Sequence, residues 1–146
     1  MFSQTAEYAL RAVVWLANHT EAPLTTSQIA SATQVPPDYL SKVLLALGRD
    51  GLVNARRGKN GGFTLTKPSD EITILDVINA VDPVQRIHTC PLRLTGHGAQ
   101  LCPLHRRLDD GLRQIEETFR SAKISEFSGE QLPIAPLCAR KEPAHA

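Results

Sequence analysis

The 146-residue sequence predicts a mainly α-helical fold with a small β-hairpin wing. More specifically, it predicts a winged helix-turn-helix domain at residues 1–83 and a long C-terminal dimerisation helix at residues 101–122. Two short helical patterns and a glycine-rich hairpin pattern between residues 25 and 66 predict the first part. Helical periodicity that returns at residue 101, after an aperiodic segment at 84–100, predicts the second.

The composition is that of an ordinary globular protein with one basic region. Apolar residues make up 42% of the chain and the net charge is only +1, which excludes a histone-like polycation. Residues 49–67 nevertheless carry five basic side chains against one acid. Without a signal peptide or an apolar run of ~20 residues, we expect a cytoplasmic protein that does not contact membranes. Three cysteines, an odd number, indicate free thiols or metal ligands.

Residues 2–18 predict an amphipathic first helix. Its apolar stripe repeats at intervals of three and four residues. The members of this stripe are Ala6, Ala9, Leu10, Val13, Val14 and Ala17. Glu7 and Arg11 lie one turn apart on another face, where the ordinary interpretation is a surface ion pair worth ~0.3–0.5 kcal/mol.

Residues 25–51 predict the helix-turn-helix. Thr25 followed by Gln28 is the pattern of a capping box, which starts a short helix through Ala32. Pro36 and Pro37 end that helix, and proline suits the first turn of the next one. The core positions of the second helix recur at helical spacing and are Leu40, Val43, Leu44 and Leu47.

Residues 52–66 predict the wing, with strands at 52–57 and 63–66 joined by a turn containing three glycines. A winged helix-turn-helix places its second helix in the major groove of DNA and its hairpin along the backbone or minor groove. The alternative for the hairpin alone is a solvated basic loop. The expected DNA contacts are Tyr39, Ser41, Lys42, Arg56, Arg57 and Lys59.

A further helix is expected after Thr73, which can cap it together with Asp76. Its predicted core face comprises Ile74, Val77, Ile78 and Val81, and Asp82-Pro83 ends it. The segment 84–100 that follows is long for a loop without periodicity. Such loops are usually functional or disordered, and the cysteine and histidines in this one favour function.

Residues 101–122 predict a long helix with two apolar rows, formed by Leu101, Leu108, Ile115 and by Leu104, Leu112, Phe119. These rows either pack on the domain of the same chain or pair with a second copy, and the second interpretation is favoured. A two-fold homodimer predicts double-stranded DNA with an inverted-repeat operator. Residues 123–146 contain three prolines and are expected to be a mostly disordered tail, with Cys138 as a bystander.

Cys90, Cys102 and His105 are candidate metal ligands. Thiolate and imidazole suit iron–sulfur clusters or zinc. Cys102 and His105 lie three residues apart at the start of the predicted helix, and the long loop can return Cys90 to them. Two cysteines at this spacing are in themselves a weak signal, and free thiols beneath a loop explain them equally well.

Three segments, 39–42, 57–63 and 74–82, resemble the Rrf-type regulators. That family includes the iron–sulfur cluster assembly regulator and a nitric-oxide-sensing repressor. The resemblance implies a dimeric bacterial transcription factor, often with an iron–sulfur cluster held by three cysteines, and in the assembly regulator also by a histidine. Cys90, Cys102 and His105 occupy the outer cysteine and histidine positions, whereas the middle position is Gly96.

The resemblance therefore implies a 2Fe-2S cluster that needs a fourth ligand. His97 and Glu7 of the partner subunit are the two candidates, and zinc or no metal are the alternatives. We expect a repressor whose operator affinity follows redox, nitric oxide or iron status. A metal-free regulator with a small-molecule effector is the alternative. No motif of an enzyme occurs in the chain, so catalysis is not expected.

Overall fold

The computed structural model describes residues 2–93, 96 and 100–129. Within these residues, five α-helices and one two-stranded antiparallel sheet occur. They are α1 (Gln4–Asn18), α2 (Thr26–Thr33), α3 (Pro37–Arg49), β1 (Val53–Arg56), β2 (Gly62–Leu65), α4 (Ile74–Val81) and α5 (Pro103–Ser121). The predicted winged, mainly helical class is confirmed. In the described part of the chain, no helix is both long and apolar enough to cross a membrane.

Helices α1 to α3 form the core of the winged domain. The Ser3 hydroxyl caps α1 by accepting a hydrogen bond from the amide of Ala6. Thr25 and Gln28 form the predicted capping box of α2. The four predicted core residues of α3 are all buried, as are Ala9, Ala12, Val13 and Leu16 of α1. Each fully buried aliphatic side chain contributes about 1.5–3 kcal/mol, so this interface dominates the stability of the domain.

The wing is attached to the rest of the domain by a contact that the sequence did not predict. Its strands pair from Val53–Leu65 to Arg56–Gly62. Leu24, before α2, bridges to β2 on the side away from β1. Its amide donates to the carbonyl of Phe63 at 3.1 Å, and the amide of Phe63 donates to the carbonyl of Leu24 at 2.7 Å. Only glycine fits at residue 62, because a Cβ there would lie 2.5 Å from the backbone of Leu24.

Helix α4 begins at the predicted capping box of Thr73 and Asp76. Its core face is rotated from the predicted one, because Leu75, Val77 and Ile78 are buried whereas Ile74 and Val81 are only partly buried. The reason is that α4 is packed on several sides, by α1, α3 and α5. A single-face pattern therefore missed Leu75.

The long helix α5 uses its apolar residues in two different ways. Leu112 and Ile115 line a cavity with residues of α1 and α4, and Phe119 packs edge-to-face on Phe2 at 5.3 Å between ring centroids. Leu104 and Leu108, nearer the start of the helix, are 64% and 52% exposed. The second half of the helix therefore packs on the domain of the same chain, whereas pairing of the first half with a second copy stays a prediction.

The segment after α5 corrects the expectation that a disordered tail starts at residue 123. The amide of Ile124 donates to the carbonyl of Ile72 at 2.8 Å, and the amide of Ile74 donates to the carbonyl of Ala122 at 3.0 Å. Ile124 is completely buried and starts a short 3-10 helix, Ile124–Phe127. The chain returns to the core here because this buried isoleucine covers α1. Residues 130–146, including Cys138, lie outside the described residues.

Candidate functional site

The outward face of α3 carries the residues predicted to enter the major groove. Ser41 and Lys42 are exposed, on the side opposite the buried leucines. The Ser41 hydroxyl donates to the carbonyl of Pro37 at 3.1 Å, which leaves its oxygen free to accept. Leu45 lies one turn further on and is 55% exposed. Sequence reasoning missed Leu45, although its place off the core stripe marks it as a surface residue that could contact a thymine methyl group.

Tyr39 differs from the other predicted DNA contacts, because it binds within the domain. Its hydroxyl is hydrogen-bonded to that of Thr5 in α1. Its ring packs edge-to-face on Tyr8, with 5.3 Å between the centroids. These contacts fix the start of α3 against α1, so Tyr39 orients the recognition helix.

The wing presents three exposed basic side chains. Arg56, Arg57 and Lys59 are all exposed at the end of the hairpin. None of the ion pairs found within residues 2–93, 96 and 100–129 involves these three side chains or Lys42. Exposed basic side chains at the end of a hairpin are available to phosphates, and the bridge to Leu24 holds the hairpin in place.

The second candidate site lies where the loop meets the start of α5. Cys102 is the N-cap residue of α5 and Pro103 occupies the first turn. The Sγ atom of Cys102 is 3.1 Å from Nδ1 of His105, and the Sγ atom of Cys90 is 4.0 Å from the same nitrogen. Cys90 is only 7% exposed. The loop thus returns Cys90 to the helix, as the sequence predicted.

The donor types suit a soft metal or cluster, but the described residues do not form a complete site. Sulfur and nitrogen ligands of one tetrahedral ion lie about 3.5 Å apart, given their usual bond lengths. The two observed separations bracket this value. However, no group of three or more metal-ligating side chains in the described residues is arranged to hold an ion. Gly96 is exposed and supplies no donor, and His97 lies outside the described residues.

Glu7, the other candidate ligand, is paired with Arg11 at 3.0 Å, the surface pair that the sequence suggested. Its side chain is 54% exposed. It stands beside an apolar recess of about 210 Å³ that also borders Leu10, Arg11, Val14, Ile74, Ile124 and Phe127. Its carboxylate is therefore accessible from outside the chain.

A cluster centred on Arg86 was not predicted. Its guanidinium donates two hydrogen bonds to Asp109, at 2.7 and 2.6 Å, and a third to Glu116 at 2.9 Å. The amide of Ile87 donates to the same Asp109 carboxylate at 2.9 Å. The hydrogen bond from Arg86, followed by that from the Ile87 amide, holds the pKa of Asp109 well below its usual range. Asp109 in turn raises the pKa of Arg86, with help from Glu116.

Comparison with known sequences gives one family. Residues 2–130 match the Rrf2 family, described as iron-dependent transcriptional regulators. A candidate HTH-type transcriptional regulator of Aquifex aeolicus is 30% identical over 130 residues, which cover 87% of this chain and 90% of that protein. A relative of the same description in Mycobacterium tuberculosis is 34% identical over 137 residues, covering 90% of this chain and 83% of the relative.

Solved structures show the same fold. CymR, the global cysteine regulator of B. subtilis, matches with a TM-score of 0.71 at 25% identity, covering 86% of this chain and 94% of that one. IscR of T. potens also gives a TM-score of 0.71, at 22% identity, covering 86% of this chain and 84% of that one.

Proposed function

The chain belongs to the Rrf2 family of transcriptional regulators, and on this premise we propose that it is a cytoplasmic, homodimeric repressor controlled by an iron–sulfur cluster. It is a DNA-binding regulator and not an enzyme. The observation that carries the cluster is the meeting of Cys90, Cys102 and His105 at the start of α5.

In this proposal α3 and the wing bind DNA together. Ser41 and Lys42 face the major groove, whereas Arg56, Arg57 and Lys59 bind phosphates or the adjacent minor groove. All five side chains are exposed. A two-fold dimer presents two such surfaces, so we propose an inverted-repeat operator whose half-sites are spaced by turns of the duplex.

The exposed start of α5 supports the homodimer. Leu104 and Leu108 form an apolar patch one turn long, and the recess beside Glu7 is a complementary apolar surface on the same chain. We propose that these two leucines pack into the recess of the partner subunit. Because Leu104 lies between Cys102 and His105 in sequence, this packing brings Glu7 of the partner subunit to the pair.

Glu7 of the partner subunit is therefore our preferred fourth ligand, ahead of His97. Cys90, Cys102 and His105 supply the other three, and a 2Fe-2S cluster is the type that this mixed set favours. Mixed ligation raises the reduction potential relative to a cluster held by four thiolates, which suits a response to redox state, nitric oxide or iron supply. The ligands come from the loop, from α5 and from the partner subunit. A change in their arrangement would therefore change how the two subunits pack. Coupling of this kind typically amounts to ~1–3 kcal/mol in operator affinity.

The test is an absorbance spectrum with iron, sulfide and zinc analysis on protein purified without oxygen. We expect visible absorption and equal amounts of iron and sulfide, both lost in Cys102→Ala and retained in the matched control Cys138→Ala. Loss in Glu7→Ala but not in His97→Ala identifies the fourth ligand. Colourless protein that lacks iron and zinc, yet selects a DNA sequence from a random duplex library, would refute the cluster.

A small-molecule effector is the second candidate, and one observation favours it. A cavity of about 260 Å³ lies between the start of α1, the end of α4 and the second half of α5. Its lining includes Phe2, Ile78, Val84, Leu112 and Ile115. An apolar molecule bound here would touch both the winged domain and the long helix. Metal-free protein whose DNA affinity changes with such a molecule would support this alternative.

A further inference from the structure

The Arg86 cluster (Arg86, Asp109 and Glu116) joins two parts of the chain that are far apart in sequence. Arg86 lies in the loop after α4, whereas both acids lie on α5, 23 and 30 residues away. The three side chains are 22%, 15% and 16% exposed, so they are shielded from water more than an ordinary surface pair. Bidentate binding of a carboxylate by arginine fixes the relative orientation of the two groups as well as their distance.

The Arg86 cluster lies beside the site formed by Cys90, Cys102 and His105. Asp109 follows His105 by four residues and Glu116 follows Asp109 by seven, so all three share one face of α5. On the loop side, Arg86 precedes Cys90 by four residues. One face of α5 therefore makes both contacts with the loop: Asp109 binds Arg86, and His105 lies next to the sulfur of Cys90.

Chain length shows which contact determines the position of Cys90. Cys90 follows Ile87, whose amide is bound to Asp109, by three positions, and this allows a reach of about 10 Å. Towards the C-terminus, the twelve residues to Cys102 allow about 40 Å. Without the Arg86 cluster, the nearest backbone group before Cys90 that is bound to another described residue is the amide of Val84, which donates to Asn79 and leaves about 20 Å.

We propose that Arg86 is the positioning residue of the sensor site, which fixes the loop on α5 so that Cys90 stays beside Cys102 and His105. This assignment rests on the geometry of the three hydrogen bonds that Arg86 donates. Arg86 belongs to no sequence motif and is not a proposed ligand. The positioning itself is independent of any metal. Only its consequence for sensing rests on the proposed function.

The experiment measures how fast each cysteine is alkylated in the reduced, chelator-treated full-length protein. N-ethylmaleimide is the probe and mass spectrometry of peptides reads each site separately. Cys90 is buried in the wild type, so we expect it to react slowly. We expect Arg86→Met to raise its rate at least tenfold while the rate of Cys102 changes less than threefold, because only the loop is released.

Arg113→Met is the matched control. Arg113 also pairs with two acids, Asp110 and Glu117, but at 3.6 and 3.4 Å, on the same helix and half exposed. Its loss should leave Cys90 as slow as in the wild type. Asp109→Asn, which keeps the shape of the side chain, should release Cys90 to a smaller extent.

Several results would overturn the proposal. One is a wild-type rate at Cys90 in both Arg86→Met and Asp109→Asn, with unchanged circular dichroism. Another is an equal increase at Cys90 and Cys102 together with lost helicity in both variants, since this indicates a general role in stability. Because iron is absent throughout, these outcomes are separate from a failure of the cluster proposal, which the iron and sulfide analysis decides.

Discussion

The two exposed leucines at the start of α5 give a quantitative test of the proposed dimer. Full burial of a leucine side chain is worth about 1.5–3 kcal/mol. Leu104 is 64% and Leu108 is 52% exposed, so burying these fractions contributes about 1–2 and 0.8–1.6 kcal/mol, respectively. A two-fold dimer buries each residue twice, and the four side chains together contribute about 3.5–7 kcal/mol.

The perturbation is the double substitution Leu104→Gln with Leu108→Gln. The lower end of the range corresponds to an increase of about 400-fold in the dimer dissociation constant. Sedimentation equilibrium over a range of protein concentrations measures this constant, and circular dichroism verifies that the variant is folded. Leu45→Gln is the matched control, because Leu45 is 55% exposed but lies on α3. It should change the constant less than twofold.

The reasoning is refuted if the folded double variant dimerises like the wild type. An unchanged dimer dissociation constant would mean that these leucines do not contact the partner subunit. It would also refute the proposed packing that brings Glu7 of the partner subunit to Cys102. A weakened dimer should also bind the inverted repeat with a steeper dependence on protein concentration. This dependence on protein concentration would show that the dimer interface contributes to DNA binding.

Four further predictions concern single positions. Arg57→Ala should weaken binding to a library-selected operator by about 1–3 kcal/mol if the side chain reads bases or groove shape, whereas a phosphate contact gives a uniform loss with a shallower salt slope in a filter-binding titration. Gly62→Ala should detach the wing, because its Cβ meets backbone atoms at 2.5 Å and its φ is +147°; hydrogen exchange of the hairpin amides should rise while the α1 amides stay protected. Ile124→Ala should cost about 2–5 kcal/mol in urea unfolding, since the side chain is fully buried and leaves a cavity. The pKa of Asp109 is lowered in the folded protein, so the stabilisation by its carboxylate is complete above the unfolded pKa of about 4 and is lost as the pH falls through the lower folded pKa. The difference in urea midpoint between wild type and Asp109→Asn should therefore stay constant from pH 8 to 5 and shrink below about pH 4.

Short-range patterns predicted the local elements well. Thr25 with Gln28 and Thr73 with Asp76 form capping boxes in the structure because the bonds involved span only three residues. The leucine spacing of α3 predicted its buried face for the same reason: periodicity reports which side of one helix is apolar. These features depend on residues that are close together in the sequence.

Contacts between distant segments were beyond such patterns. The bridge from Leu24 to Phe63 and the pairing of Ile124 with Ile72 each join single residues, which leave no periodic trace. Arg86 looks like any loop arginine in the sequence, and only the folded chain brings Asp109 and Glu116 to it. The apolar rows of α5 could not be divided into a packed half and an exposed half, because that division depends on where α1 and α4 lie.

The candidate sensor residues were found by their chemistry, but spacing alone did not identify a fourth ligand. Cys90, Cys102 and His105 are rare, reactive types in a loop of uncommon length, and the structure brings both sulfurs to one imidazole. A ligand from a second subunit leaves no mark in the spacing of the first. The resemblance to a family supplied Glu7 as a candidate, and its exposed carboxylate beside an apolar recess is what a shared site needs.

In the proposed dimer, α5 acts as a rod that is held along its length and at its C-terminal end. Arg86 binds Asp109 in the second turn and Glu116 further along. Ile124, just after the helix, pairs with Ile72. The 19 residues of α5 span about 29 Å, so a tilt of about 10° moves one end by about 5 Å relative to the other. That displacement exceeds the rise of about 3.4 Å per base pair, and half-sites must match in steps of a duplex turn. A small change at Cys90, Cys102 and His105 is therefore sufficient to move one recognition helix out of register with its half-site.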